Sequence, residues 1–75
     1  MKLCETVIGD KVQIVAVGCD EKTTEKLRAM GITAGTIAEV IRVAPFGTPI
    51  EIRSDNLRLA VCRSAAALIA VEYVK

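Results

Sequence analysis

The sequence predicts a mostly β fold: a small five-stranded barrel, with one α-helix inserted after the first strand and a short helical turn before the last. Three observations predict it. Short apolar runs rich in β-branched residues recur at Val12 to Val17, Thr36 to Val43, Ile50 to Arg53, Leu57 to Val61 and Ile69 to Tyr73, separated by segments holding Gly, Pro, Asp, Asn or Ser. Only Asp20 to Gly31 carries helix signals at both ends. The chain has 75 residues, enough for one domain, residues 1–75. A chain of that size buries only about 60% of its unfolded surface, so its elements must be short and its stability modest.

Each element can be justified in order. Val7-Ile8-Gly9-Asp10-Lys11 reads as a turn opening the run Val12-Gln13-Ile14-Val15-Ala16-Val17. That run is short and β-branched, so it is expected to be a strand partly covered on both sides. Gly18 ends it. Asp20 has the side chain of an N-cap, and Glu21 and Glu25 stand near the positive end of the helix that follows. Thr23, Leu27 and Met30 share one helix face, which makes Leu27 and Met30 core candidates, while Lys22, Lys26 and Arg28 face water. Gly31 supplies the positive φ of a helix stop.

The second half alternates. In Thr36 to Val43, Ile37, Ile41 and Val43 share a parity with Glu39, so a bend or bulge is expected part-way. Ala44-Pro45-Phe46-Gly47-Thr48-Pro49 is a tight hairpin loop leading to Ile50-Glu51-Ile52-Arg53, whose isoleucines point one way and charges the other. Ser54-Asp55-Asn56 is a second turn of residues that bond their own backbone. Leu57, Leu59 and Val61 alternate with Arg58, Ala60 and Cys62. Arg63 to Leu68 is expected to form one helical turn capped by Ser64, and Ile69, Val71 and Tyr73 to form a last strand that closes the sheet. Bare strand edges are a liability, so closure is the expected solution. The whole describes a small SH3-like barrel.

Composition excludes several functions. Apolar residues are 52% and charged residues 25% of the chain, as in globular proteins. The formal charge is +1 with both signs interspersed, which lacks the basic stripe of a nucleic-acid binder. Phe46 and Tyr73 are the only aromatic residues, too few for base-stacking platforms or for a groove that reads proline-rich peptides. Histidine is absent, and with it the commonest general base and metal ligand. No catalytic triad, carboxylate pair or phosphate loop is present, so no catalytic residue is assigned. The longest uncharged apolar run, Ala65 to Val71, is far short of the roughly 20 residues of a membrane helix. No signal sequence is visible, and the chain is expected to be cytoplasmic.

Two groups of residues remain as candidates. Cys4, Cys19 and Cys62 are odd in number, widely spaced and without a CxxC pair, which fits reduced thiols better than a disulfide frame. As metal ligands they are weak candidates needing a carboxylate to complete the set. Cys19, just before a helix, is also where a dipole can lower a thiol's pKa. The other group is a docking surface. Pro45, Phe46, Gly47 and Pro49 form a stiff loop presenting one large apolar side chain, either as a tight turn and nothing more or as an interface anchor. Lys22, Lys26 and Arg28 on the outer helix face offer a second surface.

Several of these segments together resemble the FeoA family. They are Leu3 with Gly9-Asp10; Leu27-Arg28-Ala29-Met30-Gly31-Ile32 with Ala34-Gly35; Ala44 to Ile50; and Arg63 to Ala66 before Ile69-Val71. The resemblance covers nearly the whole chain. It implies an SH3-like fold and a small non-enzymatic accessory protein of bacterial ferrous iron uptake. Such a protein acts by protein–protein interaction on the FeoB iron permease and its cytoplasmic G-protein domain, and so sits peripherally at the inner membrane. The chain, from Met1 to a final strand, is then expected to be free-standing. The alternative is a metal-binding or iron-sensing domain related to the C-terminal domain of DtxR-type iron-dependent repressors, whose metal ligands can include the histidine this chain lacks. Neither nucleic acid nor membrane insertion is implied, and no cofactor is expected. A divalent metal on Cys and Glu side chains would be adventitious, and the strand edges leave homo-oligomers open.

Overall fold

The computed structural model describes residues 1–55 and 57–74. Five strands and two α-helices occur in the expected order: β1 (Lys11–Val17), α1 (Glu21–Ala29), β2 (Ile37–Val43), β3 (Ile50–Ser54), β4 (Leu57–Val61), α2 (Arg63–Ala66) and β5 (Ile69–Tyr73). Two 3₁₀ turns, Leu3–Glu5 and Pro45–Gly47, add to them. All pairings are antiparallel, and the strands lie in the order β4-β3-β2-β1-β5.

The turn before β1 forms as its residues suggest. The Asp10 carboxylate accepts from the Val7 N–H at 2.9 Å, and the Asp10 N–H donates to the Val7 carbonyl. At the start of α1, Asp20 Oδ1 accepts from the Thr23 N–H at 3.1 Å, filling one of the helix's free donors. The other end of α1 is a Schellman stop. Gly31, at φ 88°, donates to the Arg28 carbonyl, and the Ile32 N–H reaches back to the Leu27 carbonyl at 2.8 Å. That turn carries Ile32 into the core beside Leu27, where both side chains are buried.

The core is the inner face of the sheet under α1, α2 and the first 3₁₀ turn. Val12 and Ile14 of β1, Ala38 and Val40 of β2, Ile50 and Ile52 of β3, Val61 of β4, and Ile69 and Val71 of β5 are all buried. Leu3, Leu27, Ile32 and Ala66 cover them. Each fully buried Val, Leu or Ile contributes roughly 1.5–3 kcal/mol relative to its exposure. The expected bulge in β2 is real: the register with β3 shifts between Val40 and Arg42, leaving Ile41 as the extra residue. On the outer face Arg53 pairs with Glu39, and Arg42 with Glu51 at 3.7 Å.

Five expectations need correction. The sheet does not close into a barrel. The free edge of β5 is taken by the first residues of the chain: the Val71 N–H donates to the Met1 carbonyl at 2.7 Å and Lys2 bridges Ala70. That edge is therefore unavailable to β4. The second side of β1 is less covered than expected: Gln13 is half-buried, but Val15 is exposed where β1 shifts register against β5 between Ile14 and Ala16. Met30 is the exposed C-cap of α1 rather than a core residue, because the helix stops before its side chain can turn inward. α2 spans only Arg63–Ala66. Its N-cap position is Cys62, and Ser64 sits inside the turn, its hydroxyl engaged with Cys62 Sγ rather than with the backbone. Of the second expected turn, Asn56 lies outside the described residues.

Candidate functional site

The β2–β3 connection is held at both ends. The Ala44 N–H donates to the Pro49 carbonyl at 3.1 Å, and Thr48 Oγ1 accepts from the Arg63 N–H at 3.2 Å, which ties the loop to α2. Pro45 opens the 3₁₀ turn with its fixed φ. Phe46 follows at φ 72°, ψ 9°, a left-handed conformation that costs a non-glycine residue about 1–2 kcal/mol. Its side chain is 99% exposed, whereas the next most exposed large apolar residue, Val7, is at 64%. The loop thus holds an aromatic ring fully in water on a backbone disfavoured for it. Pro45 and Pro49 flank it and are themselves exposed.

The basic residues of α1 do not form one surface. Lys22, Lys26 and Arg28 are all exposed. Lys22 and Lys26, four apart, lie on one stripe, but Arg28 is about 200° around the helix from Lys26. Arg28 instead lines a cavity of about 190 Å³ with Val17, Thr24, Ile32, Thr33 and Ala34.

The cysteines are redistributed too. Cys4 is half-buried in the first 3₁₀ turn and packs against the core. Cys19 and Cys62, far apart in sequence, line one solvent-facing cavity of about 260 Å³ with Asp20, Thr23, Ser64, Ala65 and Leu68. They share it because the chain after α2 folds over the end of β1, where the Gly18 N–H donates to the Leu68 carbonyl at 2.7 Å. A Cβ at position 18 would lie 3.1 Å from that carbonyl oxygen, so glycine permits the approach. Cys19 Sγ lies 3.9 Å from the Ala65 carbonyl oxygen, and Cys62 Sγ is 3.3 Å from Ser64 Oγ.

The two thiols differ electrostatically. The Ser64 hydroxyl, and then the Ala65 backbone N–H, hold the Cys62 thiol below its ordinary pKa. Burial, and then the negative charge of Asp20 and of Cys62 itself, push Cys19 up, opposite to the lowering a helix start alone suggests. Asp20 is lowered by its hydrogen bonds from Thr23 and is already engaged as the cap of α1. Among the described residues, no three His, Cys, Asp or Glu side chains gather to hold a metal ion. Sequence reasoning missed the cavity that Cys19 and Cys62 share and the parts of Ser64 and Thr48. The Cys-x-Ser spacing at the start of α2 was the visible signal, but the shared cavity depends on a long-range contact.

A family model of the FeoA domain matches residues 1–73. The chain belongs to the FeoA family. It is 31% identical to the FeoA protein of Chlorobium tepidum, with a TM-score of 0.94, over 100% of this chain and 71% of that one. FeoA of Stenotrophomonas maltophilia, solved with zinc as a prokaryotic SH3-domain protein, shares the fold at 21% identity and a TM-score of 0.81, over 96% and 89% of the two chains. The manganese regulator SloR carries the same fold within a longer chain: 15% identity and a TM-score of 0.85, over 99% of this chain and 34% of SloR. The five-stranded sheet is therefore SH3-like, common to FeoA proteins and to metal-dependent regulators. The family is associated with ferrous iron transport. Among the described residues no helix is long and apolar enough to cross a membrane.

Proposed function

We propose that this FeoA-family chain is a cytoplasmic accessory protein of bacterial ferrous iron uptake. It docks through the Pro45–Pro49 loop, with Phe46 as anchor, onto the cytoplasmic G-protein domain of a FeoB-type iron permease. Through that partner it is peripheral at the inner membrane. One observation carries the reading: a fully exposed phenylalanine held in a left-handed backbone on a loop tied at both ends. Folding gains nothing from that ring, whereas binding does, because a rigid aromatic presents large contact area with little entropy left to lose. Family membership supports that partner class. Lys22 and Lys26 form a secondary surface that contributes long-range charge rather than an anchor.

The test is binding of the purified chain to the isolated G-protein domain and to the full permease in membranes, with and without guanine nucleotide. Binding by the wild type that Phe46→Ala abolishes supports the docking loop. Binding that Phe46→Ala leaves unchanged overturns the loop assignment. Absence of binding in every nucleotide state overturns the partner.

A further inference from the structure

We infer that Cys62 and Cys19 form a peroxide-reactive thiol pair, in which exposed Cys62 attacks the oxidant and half-buried Cys19 resolves it into an intramolecular disulfide. This inference does not rest on the docking reading. Three observations carry it. Cys62 is exposed and Cys19 half-buried, yet both line the same solvent-facing cavity of about 260 Å³, large enough for a small oxidant. Both sulfur atoms lie against the same short segment. Cys19 Sγ is at 3.9 Å from the Ala65 carbonyl, and Cys62 Sγ sits beside Ser64 Oγ at 3.3 Å. The environments also divide the labour: Ser64 and the Ala65 N–H favour the Cys62 thiolate, while burial and Asp20 disfavour that of Cys19. An exposed thiol with a lowered pKa that shares a cavity with a second thiol is the arrangement of a reactive and a resolving cysteine. Cys4 does not line this cavity.

The chemistry balances with hydrogen peroxide as the oxidant. The Cys62 thiolate attacks one peroxide oxygen; an S–O bond forms, the O–O bond breaks, and hydroxide leaves to become water on protonation. Cys62 is then a sulfenic acid. Cys19 loses its proton and attacks the Cys62 sulfur; the S–S bond forms, the S–O bond breaks, and the second hydroxide leaves as water. Two thiols have given up two electrons, and one peroxide has become two waters. The bond joins the β1–α1 junction to α2, whose Arg63 N–H holds Thr48 of the β2–β3 loop.

The experiment treats the reduced wild-type chain with one equivalent of hydrogen peroxide and reads it by intact mass and peptide mapping. The expected product has lost two hydrogens, carries a Cys19–Cys62 cross-linked peptide, retains Cys4 as a free thiol, and returns to the starting mass with dithiothreitol. In Cys19→Ser, Cys62 should stop at the sulfenic acid and be labelled by dimedone. In Cys62→Ser no intramolecular disulfide should form. A wild type that gives no Cys19–Cys62 link, or oxidises Cys4 as fast as Cys62, overturns the inference without recourse to any variant.

Discussion

Gly31 and Phe46 hold the same kind of backbone, at φ 88° and φ 72°, for different ends. At Gly31 the left-handed residue lets two amides close the last carbonyls of α1 and turns Ile32 into the core beside Leu27. Residue type, backbone and packing agree there. At Phe46 the same conformation is occupied by a residue it disfavours, and the side chain reaches only water. Local rules broken without gain to the fold mark the places where something other than folding acts. The comparison separates a position that serves the structure from one whose proposed role is to serve a partner.

The largest effect expected is on binding. Phe46→Ala should weaken association with the permease's G-protein domain by about 2 kcal/mol or more, roughly thirtyfold in Kd, and leave the melting temperature unchanged. Calorimetric titration alongside thermal unfolding would measure both; a lowered melting temperature would move Phe46 into the structural class with Gly31. Next is Gly31→Ala. No atom lies within 4 Å of the added methyl, so the cost is conformational alone, about 1–2 kcal/mol by urea unfolding. Phe46→Gly should have the opposite sign, raising stability by about 0.5–1 kcal/mol because the strain is relieved. A loss of stability in that variant would show that the ring is supported by contacts and collapse the contrast.

The smallest effect lies at the other end of α1. Hydrogen bonds from Thr23 hold the Asp20 carboxyl below its ordinary pKa. A folded pKa below the unfolded one means stability that is complete above the unfolded value, near 4, and lost as pH falls through the lower folded one. Asp20→Asn keeps a cap but has no carboxyl, so its stability should fall less steeply across that acid window. Parallel acid-unfolding curves for the two proteins would remove Asp20 from the account.

Much of the fold was legible in the residues. The glycine stop, the aspartate cap, the alternation in β3 and β5 and the bulge in β2 all follow from local pattern, and local pattern fixes local backbone. What depended on contacts between distant segments was not legible. Closure by β5 was expected because a bare edge is unfavourable, but Met1 and Lys2 satisfy that edge with backbone groups that carry no sequence signal. The tight loop was readable from its prolines, but not that the left-handed φ belongs to Phe46. Lys22, Lys26 and Arg28 looked like one surface until helical geometry set Arg28 on another. Cys19 and Cys62 looked unrelated until Gly18 allowed Leu68 to fold over the end of β1.

Pairing of β1 with β5 sets Val12 opposite Tyr73, and the Met1 carbonyl lies 2.7 Å from the Val71 amide. The beginning and the end of the fold therefore stand side by side on one edge of the sheet. Such a unit is portable: a host polypeptide can enter and leave it on the same edge of the sheet, with no strand displaced and no core opened. A sheet of this design can sit within a longer chain, as the same fold does in SloR.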